Sequence, residues 1–187
     1  MAKIPKQRKI MARSKGCLEN AETGTVSNKR TIDTTDSRII GLLQKDGRIS
    51  NIKIARALGI SEATVRNRLQ KLVDDRIVKI VAVCDPFKIG FGIVGSISIN
   101  IDPKKVNNVL NALSNLQEVW YIALTTGSTD IDIDFNVKSL DDLRVLVYDK
   151  ITRIDGILRT ETSVIMDFVK RRYDWGTAFH QKPGVME

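Results

Sequence analysis

The chain has 187 residues, 42% hydrophobic and 28% charged, with a net charge of +8. That length suits one large domain or two small ones, and the composition is that of a soluble globular protein. No membrane-spanning helix is expected, because no apolar run approaches the roughly 20 residues that cross a bilayer; nor is a secretory signal expected, because no apolar core follows the basic N-terminus.

The two cysteines, Cys17 and Cys84, sit in unlike contexts, one in a polar segment and one ending an apolar run. No disulfide framework is expected, and a reducing cytoplasm is the expected compartment. The charge is unevenly spread. Residues 1–30 carry eight Lys/Arg and two acids, a net +6; residues 31–84 carry ten and six, +4; residues 85–187 carry twelve and fourteen, −2. The excess of positive charge is confined to the N-terminal half, which points to a polyanion partner for that half alone, the plainer alternative being an uneven solvated surface.

Residues 1–30 show no apolar periodicity, and Lys3, Lys6, Arg8, Lys9, Arg13 and Lys15 precede any acid. This reads as a flexible basic arm. It suits a segment that follows a DNA backbone, a solubilising tail, or a start assigned too early with Met11 as the true one.

From Asp33 the pattern turns helical. Ile39, Ile40, Leu42 and Leu43 fit a first helix, capped by Thr34 or Thr35 and ended by Asp46-Gly47. Ser50 caps a second, with Ile54, Ala55 and Leu58 inward, and Gly59 stops it. Ser61 caps a third, with Val65, Leu69, Leu72 and Val73 on one stripe. Ile77–Val83 is rich in β-branched residues and reads as a strand or short hairpin.

The second half alternates differently. Gly92–Ile101 is a predicted strand, and Asp102-Pro103 opens a helix carrying Val106, Val109, Leu110 and Leu113. Strands follow at Glu118–Leu124 and Asp130–Val137. Ser139 caps a helix with Leu143, Leu146, Val147 and Ile151 inward, and Ile157–Val169 is the last strand. The order β-α-β-β-α-β is a ferredoxin-like split unit with helices on one face of an antiparallel sheet. The expected fold is therefore α+β: a basic arm at 1–30, a helix-turn-helix domain with a hinge strand at 31–84, a ferredoxin-like domain at 85–172, and a tail at 173–187.

Two short helices around Gly59 have helix-turn-helix spacing, which makes the third a candidate recognition helix for a major groove. With its apolar stripe buried, Ala63, Thr64, Asn67, Gln70 and Lys71 point outward behind the cap Ser61, and Arg66 and Arg68 flank the stripe within reach of phosphates. Asn and Gln suit adenine edges, a Thr methyl suits thymine, and Arg and Lys supply counterion release. Lys53 and Arg56 on the second helix add backbone contacts. The plainer alternative is a three-helix module with an ordinary charged surface.

In the second half, Thr125-Thr126-Gly127-Ser128-Thr129-Asp130 places hydroxyls, backbone N–H groups and a carboxylate in one loop. Hydroxyls and amides suit a ligand carboxylate, and Asp130 suits an ammonium, so a zwitterion fits. A tight hairpin turn fits equally, since these are turn residues. Asp130, Asp132 and Asp134 share a strand face, but a spacing of roughly 6–7 Å between alternate residues is long for one small cation. No metal site is expected, and no cofactor. The acid face is expected to be wet or used for dimer contact, with Thr160 and Thr162 beside it.

Asp36…Ile39-Ile40, Leu43–Ser50, Ala55…Leu58-Gly59…Ser61, Thr64-Val65-Arg66…Arg68-Leu69…Leu72 and Ile77-Val78 together resemble the DNA-binding half of the leucine-responsive/asparagine-responsive (Lrp/AsnC) regulators. The resemblance continues at Asp85-Pro86, Gly127…Asp130, Asp155-Gly156, Thr160…Thr162 and Val169-Lys170, covering about residues 32–172. It implies a winged or plain helix-turn-helix domain and a βαββαβ sensing domain. It implies homodimers formed through the sheets, commonly assembled into octamers, that bind double-stranded promoter DNA and often respond to a free amino acid. The implied effector site is the loop at 125–130 with help from Thr160 and Thr162 on the last strand. Thr129 stands where relatives often carry an aromatic residue, and the arm and the tail after about Arg172 are outside the usual pattern. An enzyme is not expected, since the sensing half has no histidine; a DNA-binding architectural protein without an effector is the alternative.

Overall fold

A computed structural model describes residues 32–178. The basic arm expected at 1–30 lies outside the described residues. The described chain divides into two compact units, residues 32–84 together with 167–178, and residues 85–166. Residues 167–178 thus group with the N-terminal unit.

The first unit is built on three helices. α1 (Thr34–Lys45) is capped by Asp33, whose carboxylate accepts the Asp36 N–H at 2.8 Å. The cap is therefore the aspartate, not Thr34 or Thr35, both of which lie inside the helix. α2 (Asn51–Leu58) starts at Ser50, whose hydroxyl accepts the Lys53 N–H, and stops at Gly59 in the left-handed region (φ 67°). α3 (Glu62–Asp74) starts at Ser61, which accepts the Thr64 N–H. Each cap satisfies one of the helix's orphan donors. Ile39, Ile40, Ile54, Ala55, Val65 and Leu72 form the core, with Leu42, Leu43 and Leu58 packed against it. Val73, expected on the buried stripe, is exposed, because Leu72 takes the inward position.

The run Ile77–Val83 departs from expectation. The N–H groups of Ile77 and Val78 donate to the Leu72 carbonyl at the end of α3. From Lys79 to Val83 the chain is not part of a strand, and Ile80, Val81 and Val83 are exposed. β-branched residues favour extended backbone, but a strand needs a ladder partner, and this stretch has none among the described residues. The helix-turn-helix unit is plain rather than winged among the described residues.

The second unit runs β1 (Ile93–Ile101), a 3-10 turn (Pro103–Lys105) into α4 (Val106–Ser114), β2 (Val119–Leu124), β3 (Ile131–Val137), α5 (Leu140–Arg144) and β4 (Ile157–Val164). The strands form one antiparallel sheet in the order β2-β3-β1-β4. This is the ferredoxin-like arrangement, with the two βαβ halves interleaved. Along β3 burial alternates strictly, so Ile131, Ile133, Phe135 and Val137 face the helices with Ile97, Ile99, Val109, Leu113, Leu146 and Ile151.

Two boundaries differ from the sequence reading. After α5 the helix widens into π turns over Val145–Ile151, closed by Thr152 N–H donating to the Val147 carbonyl, five residues back. That spacing brings Leu146 and Ile151 onto the same inward face, both fully buried. β4 ends at Val164, and its last ladder bond is Ile165 N–H to the Val94 carbonyl. Beyond it Met166 and Val169 are almost fully exposed.

Candidate nucleic-acid interface and effector loop

α3 presents Ala63, Thr64, Arg66, Asn67, Gln70 and Lys71 to solvent, and α2 presents Lys53 and Arg56. Ser61 is held by its capping role, with its hydroxyl also 2.8 Å from that of Thr64. Arg66 is 65% exposed and pairs along the helix with Glu62 at 3.1 Å. Such an exposed i,i+4 pair is worth only about 0.3–0.5 kcal/mol, so a phosphate displaces it readily. Gln70 donates to Asp74 one turn on, at 2.8 Å.

Arg68 is different. Its guanidinium bonds the carboxylates of Asp33 and Asp36, the latter at 3.0 Å, and Asp36 is only 1% exposed. The pairing ties the middle of α3 to the first turn of α1. Asp33 is held below the ordinary carboxylate pKa, first by the Asp36 amide N–H and then by Arg68, and Arg68 is raised by the same two carboxylates. The expectation that Arg68 reaches outward to a phosphate meets a side chain already turned inward. The signal in the sequence was the acid pair Asp33/Asp36 at the start of α1.

The loop between β2 and β3 is a tight hairpin. Thr125 N–H donates to the Asp130 carbonyl at 2.9 Å, and the Thr125 hydroxyl donates to the Thr129 carbonyl at 2.9 Å. Gly127 sits at φ 138°, a conformation reserved for glycine. Thr126, Gly127 and Ser128 are exposed at the tip, while Thr125, Thr129 and Asp130 are half-buried. Asp130 joins the loop to β1: its N–H donates to the Ile99 carbonyl at 3.0 Å, and its carboxylate accepts the Ile101 N–H at 2.9 Å. Asn100, which sequence reasoning passed over, donates from its side chain to the Ser128 carbonyl at 2.7 Å.

The last strand is placed otherwise than expected. Thr160 pairs with Ile99 and Thr162 with Ile97, so both threonines lie on the helix-covered side of the sheet. Glu161, opposite Ser98, stands on the acid face instead. β1 lies between β4 and β3, so Thr160 is two strand spacings, about 10 Å, from the start of β3. Thr162 lies further along, away from the loop. On the acid face Asp132 lies between Ser98 and Ala123, and Asp134 between Ser96 and Tyr121. Burial first, and the Asp132 charge second, push the Asp134 carboxyl above its ordinary value.

Residues 32–73 match the family model of the AsnC-type helix-turn-helix domain, and residues 95–175 match that of the Lrp/AsnC ligand binding domain. The chain belongs to the Lrp/AsnC family. An uncharacterized HTH-type transcriptional regulator of Pyrococcus furiosus is 41% identical over 79% of this chain and 97% of its own length. Among solved structures, AsnC of E. coli is 28% identical, covers 76% of this chain and 97% of its own, and superposes with a TM-score of 0.69. A transcriptional regulator from Neisseria meningitidis, solved with L-Met, shares the fold at a TM-score of 0.70 and 22% identity, over 77% of this chain and 96% of its own.

This Lrp/AsnC chain is therefore an HTH-type DNA-binding transcriptional regulator with a ligand-binding domain, not an enzyme. Among the described residues no helix is long and apolar enough to cross a membrane.

Proposed function

We propose that the chain regulates transcription by sequence-specific binding to promoter DNA and that a free amino acid, held at the 125–130 loop, modulates that binding. The reading of DNA rests on the exposed face of α3: Thr64, Asn67 and Gln70 supply base-edge groups, and Arg66, Lys71, Lys53 and Arg56 supply phosphate contacts. Binding to a promoter fragment and to random DNA across a salt series tests it. A specific site gives affinities that stay apart as salt rises, whereas coincident curves speak for an architectural protein.

The observation that supports the effector reading is the loop itself, a glycine-opened tip with exposed hydroxyls beside one fixed carboxylate. The L-Met in the Neisseria relative is a ligand of the matching chemistry. Against it, Thr125, Asp130 and Asn100 are engaged in holding the hairpin, which is what an effector-independent protein would also need.

Asp130→Asn separates the two roles. The amide oxygen still accepts the Ile101 N–H, so melting is expected within about a degree of the parent. The lost charge is expected to weaken amino-acid binding about tenfold or more, since a charge-assisted bond is worth about 1.5–3 kcal/mol. Calorimetric titration with the twenty amino acids reads this directly, and a blank titration of the parent favours the effector-free alternative.

Self-association through the sheet is part of the same reading. Among the described residues of the ligand-binding unit, the helices pack on the opposite sheet face from Ser96, Ser98, Asp132 and Asp134, and Ile80, Val81 and Val83 have no strand partner among the described residues. Both surfaces suit a second copy, as homodimers or as octamers built from them. Light scattering on the full chain measures the assembly.

A further inference from the structure

After β4 the chain re-enters the DNA-binding unit, and it does so through specific bonds. Gln44, on the outer side of α1, pairs its side-chain amide with the backbone of one tail residue. Gly176 N–H donates to Gln44 Oε1 at 2.9 Å, and Gln44 Nε2 donates to the Gly176 carbonyl at 3.3 Å. A planar amide offers a donor and an acceptor side by side, so it substitutes for a strand edge. About two turns earlier on the same helix face, the Ser37 hydroxyl lies 2.5 Å from that of Thr177, and Ser37 is buried. Gly176 sits at φ 76°, a conformation that side chains resist.

The segment leading to this contact is stiffened by its own side chains. Arg171 stacks over Phe168 at 4.8 Å and over Tyr173 at 5.8 Å, and Tyr173 lies against Trp175 at 6.2 Å between ring centroids. Arg172 makes a two-bond fork to Asp174, at 2.9 and 2.8 Å. Tyr173, Trp175, Gly176 and Thr177 then form one wall of an apolar groove of about 750 Å³, whose other wall includes Ile40, Leu43 and Ile80.

We infer that residues 173–178 are a strap: they dock within the same chain on the Ser37/Gln44 face of α1, tether the DNA-binding domain to the ligand-binding domain a second time, and restrain its motion. The first tether is the chain leaving α3. Without the strap the DNA-binding domain hangs from that one connection. With it, both the N-terminal and the C-terminal sides of the three-helix unit are linked to the sheet domain. The bonding residues Gly176 and Thr177 lie just past the stretch that matches the ligand-binding family model, which ends at residue 175.

A cross-link tests the docking. In the full chain with Cys17→Ser and Cys84→Ser, the pair Ser37→Cys and Thr177→Cys brings two thiols within bonding reach. Mild oxidation is expected to give a disulfide within single chains, read as a monomer on a non-reducing gel. A covalent dimer would show that the tail docks on a second copy, and failure to cross-link would show that it does not dock; either result overturns the strap. A second measurement tests the restraint. NMR relaxation is expected to give the α1–α3 amides a shorter correlation time once the chain is cut after Arg172, with Gln44→Ala shifting it the same way. Equal tumbling in the intact and cut chains would overturn the restraint. Neither readout uses DNA or an amino acid, so their failure leaves the regulatory reading untouched.

Discussion

Arg68→Ala is expected to cost the DNA-binding domain about 2 kcal/mol of stability, the scale of a hydrogen bond to a charged group rather than of a fully buried ion pair, since the guanidinium is 30% exposed. The reason is Asp36. Its carboxylate is 1% exposed and takes a bond from Arg68 at 3.0 Å. Removing the guanidinium takes the positive charge away from a desolvated negative one and cuts the tie between α3 and α1. Arg66→Ala differs in kind. Arg66 touches only Glu62 among the bonds described and is mostly exposed. Its loss is expected to leave melting nearly unchanged, while the slope of log affinity against log salt falls by about one unit for the lost phosphate contact.

Thermal denaturation and a salt series on both variants check this pair of outcomes. A stable Arg68→Ala with a reduced salt slope would return Arg68 to the DNA-contacting set. The pH dependence adds a sign. The Asp33 carboxyl is lowered by the Asp36 N–H first and by Arg68 second. A depressed carboxyl stabilises above its unfolded value and loses that stabilisation as pH falls through its folded value. The stability difference between parent and Arg68→Ala should therefore narrow as pH drops below about 4.

These two arginines also mark where the sequence was and was not legible. Ser50, Gly59 and Ser61 were read correctly because a cap is local chemistry: an oxygen reaching an amide three residues on, or a left-handed turn. The ferredoxin-like antiparallel sheet was legible in the order of the elements and in the alternation along β3. Arg66 and Arg68, however, look alike on a helical wheel. What separates them is a pair of acids more than thirty residues away, which periodicity does not carry. The run 77–83 failed for a related reason, since β-branched composition reports a preference for extension but not the existence of a partner. The face of Thr160 and Thr162 is not legible in sequence, because it depends on the β1–β4 register, and a slip of one residue reverses every side chain. The docking of the tail was invisible, because a glutamine amide pairing with backbone has no pattern in sequence.

Gly95→Val is expected to unfold the ligand-binding domain. Gly95 is the third residue of β1, with β3 on one side and β4 on the other. A Cβ there would run into the Ser163 carbonyl oxygen of β4 and come within 2.7 Å of the Phe135 ring. Neither obstacle gives way easily. One is backbone in the β1–β4 ladder, and the other is the fully buried aromatic at the centre of the core. A strand glycine at such a place marks close approach rather than flexibility. Overpacking a core typically costs about 1–3 kcal/mol, and displacing a strand adds the ladder bonds beyond Gly95, including Ile165 to Val94. Even Gly95→Ala is expected to lose about 3 kcal/mol. The contrast is Gly127, where nothing lies within 4 Å of an added Cβ and the penalty is backbone strain alone (φ 138°). Gly127→Ala should lower melting only slightly, by about 1 kcal/mol. Thermal denaturation of the two alanine variants side by side decides the matter: a Gly95→Ala that melts with its parent would mean that Phe135 does not lie over β1 as described, and with it the packing that positions the loop at 125–130 would be wrong.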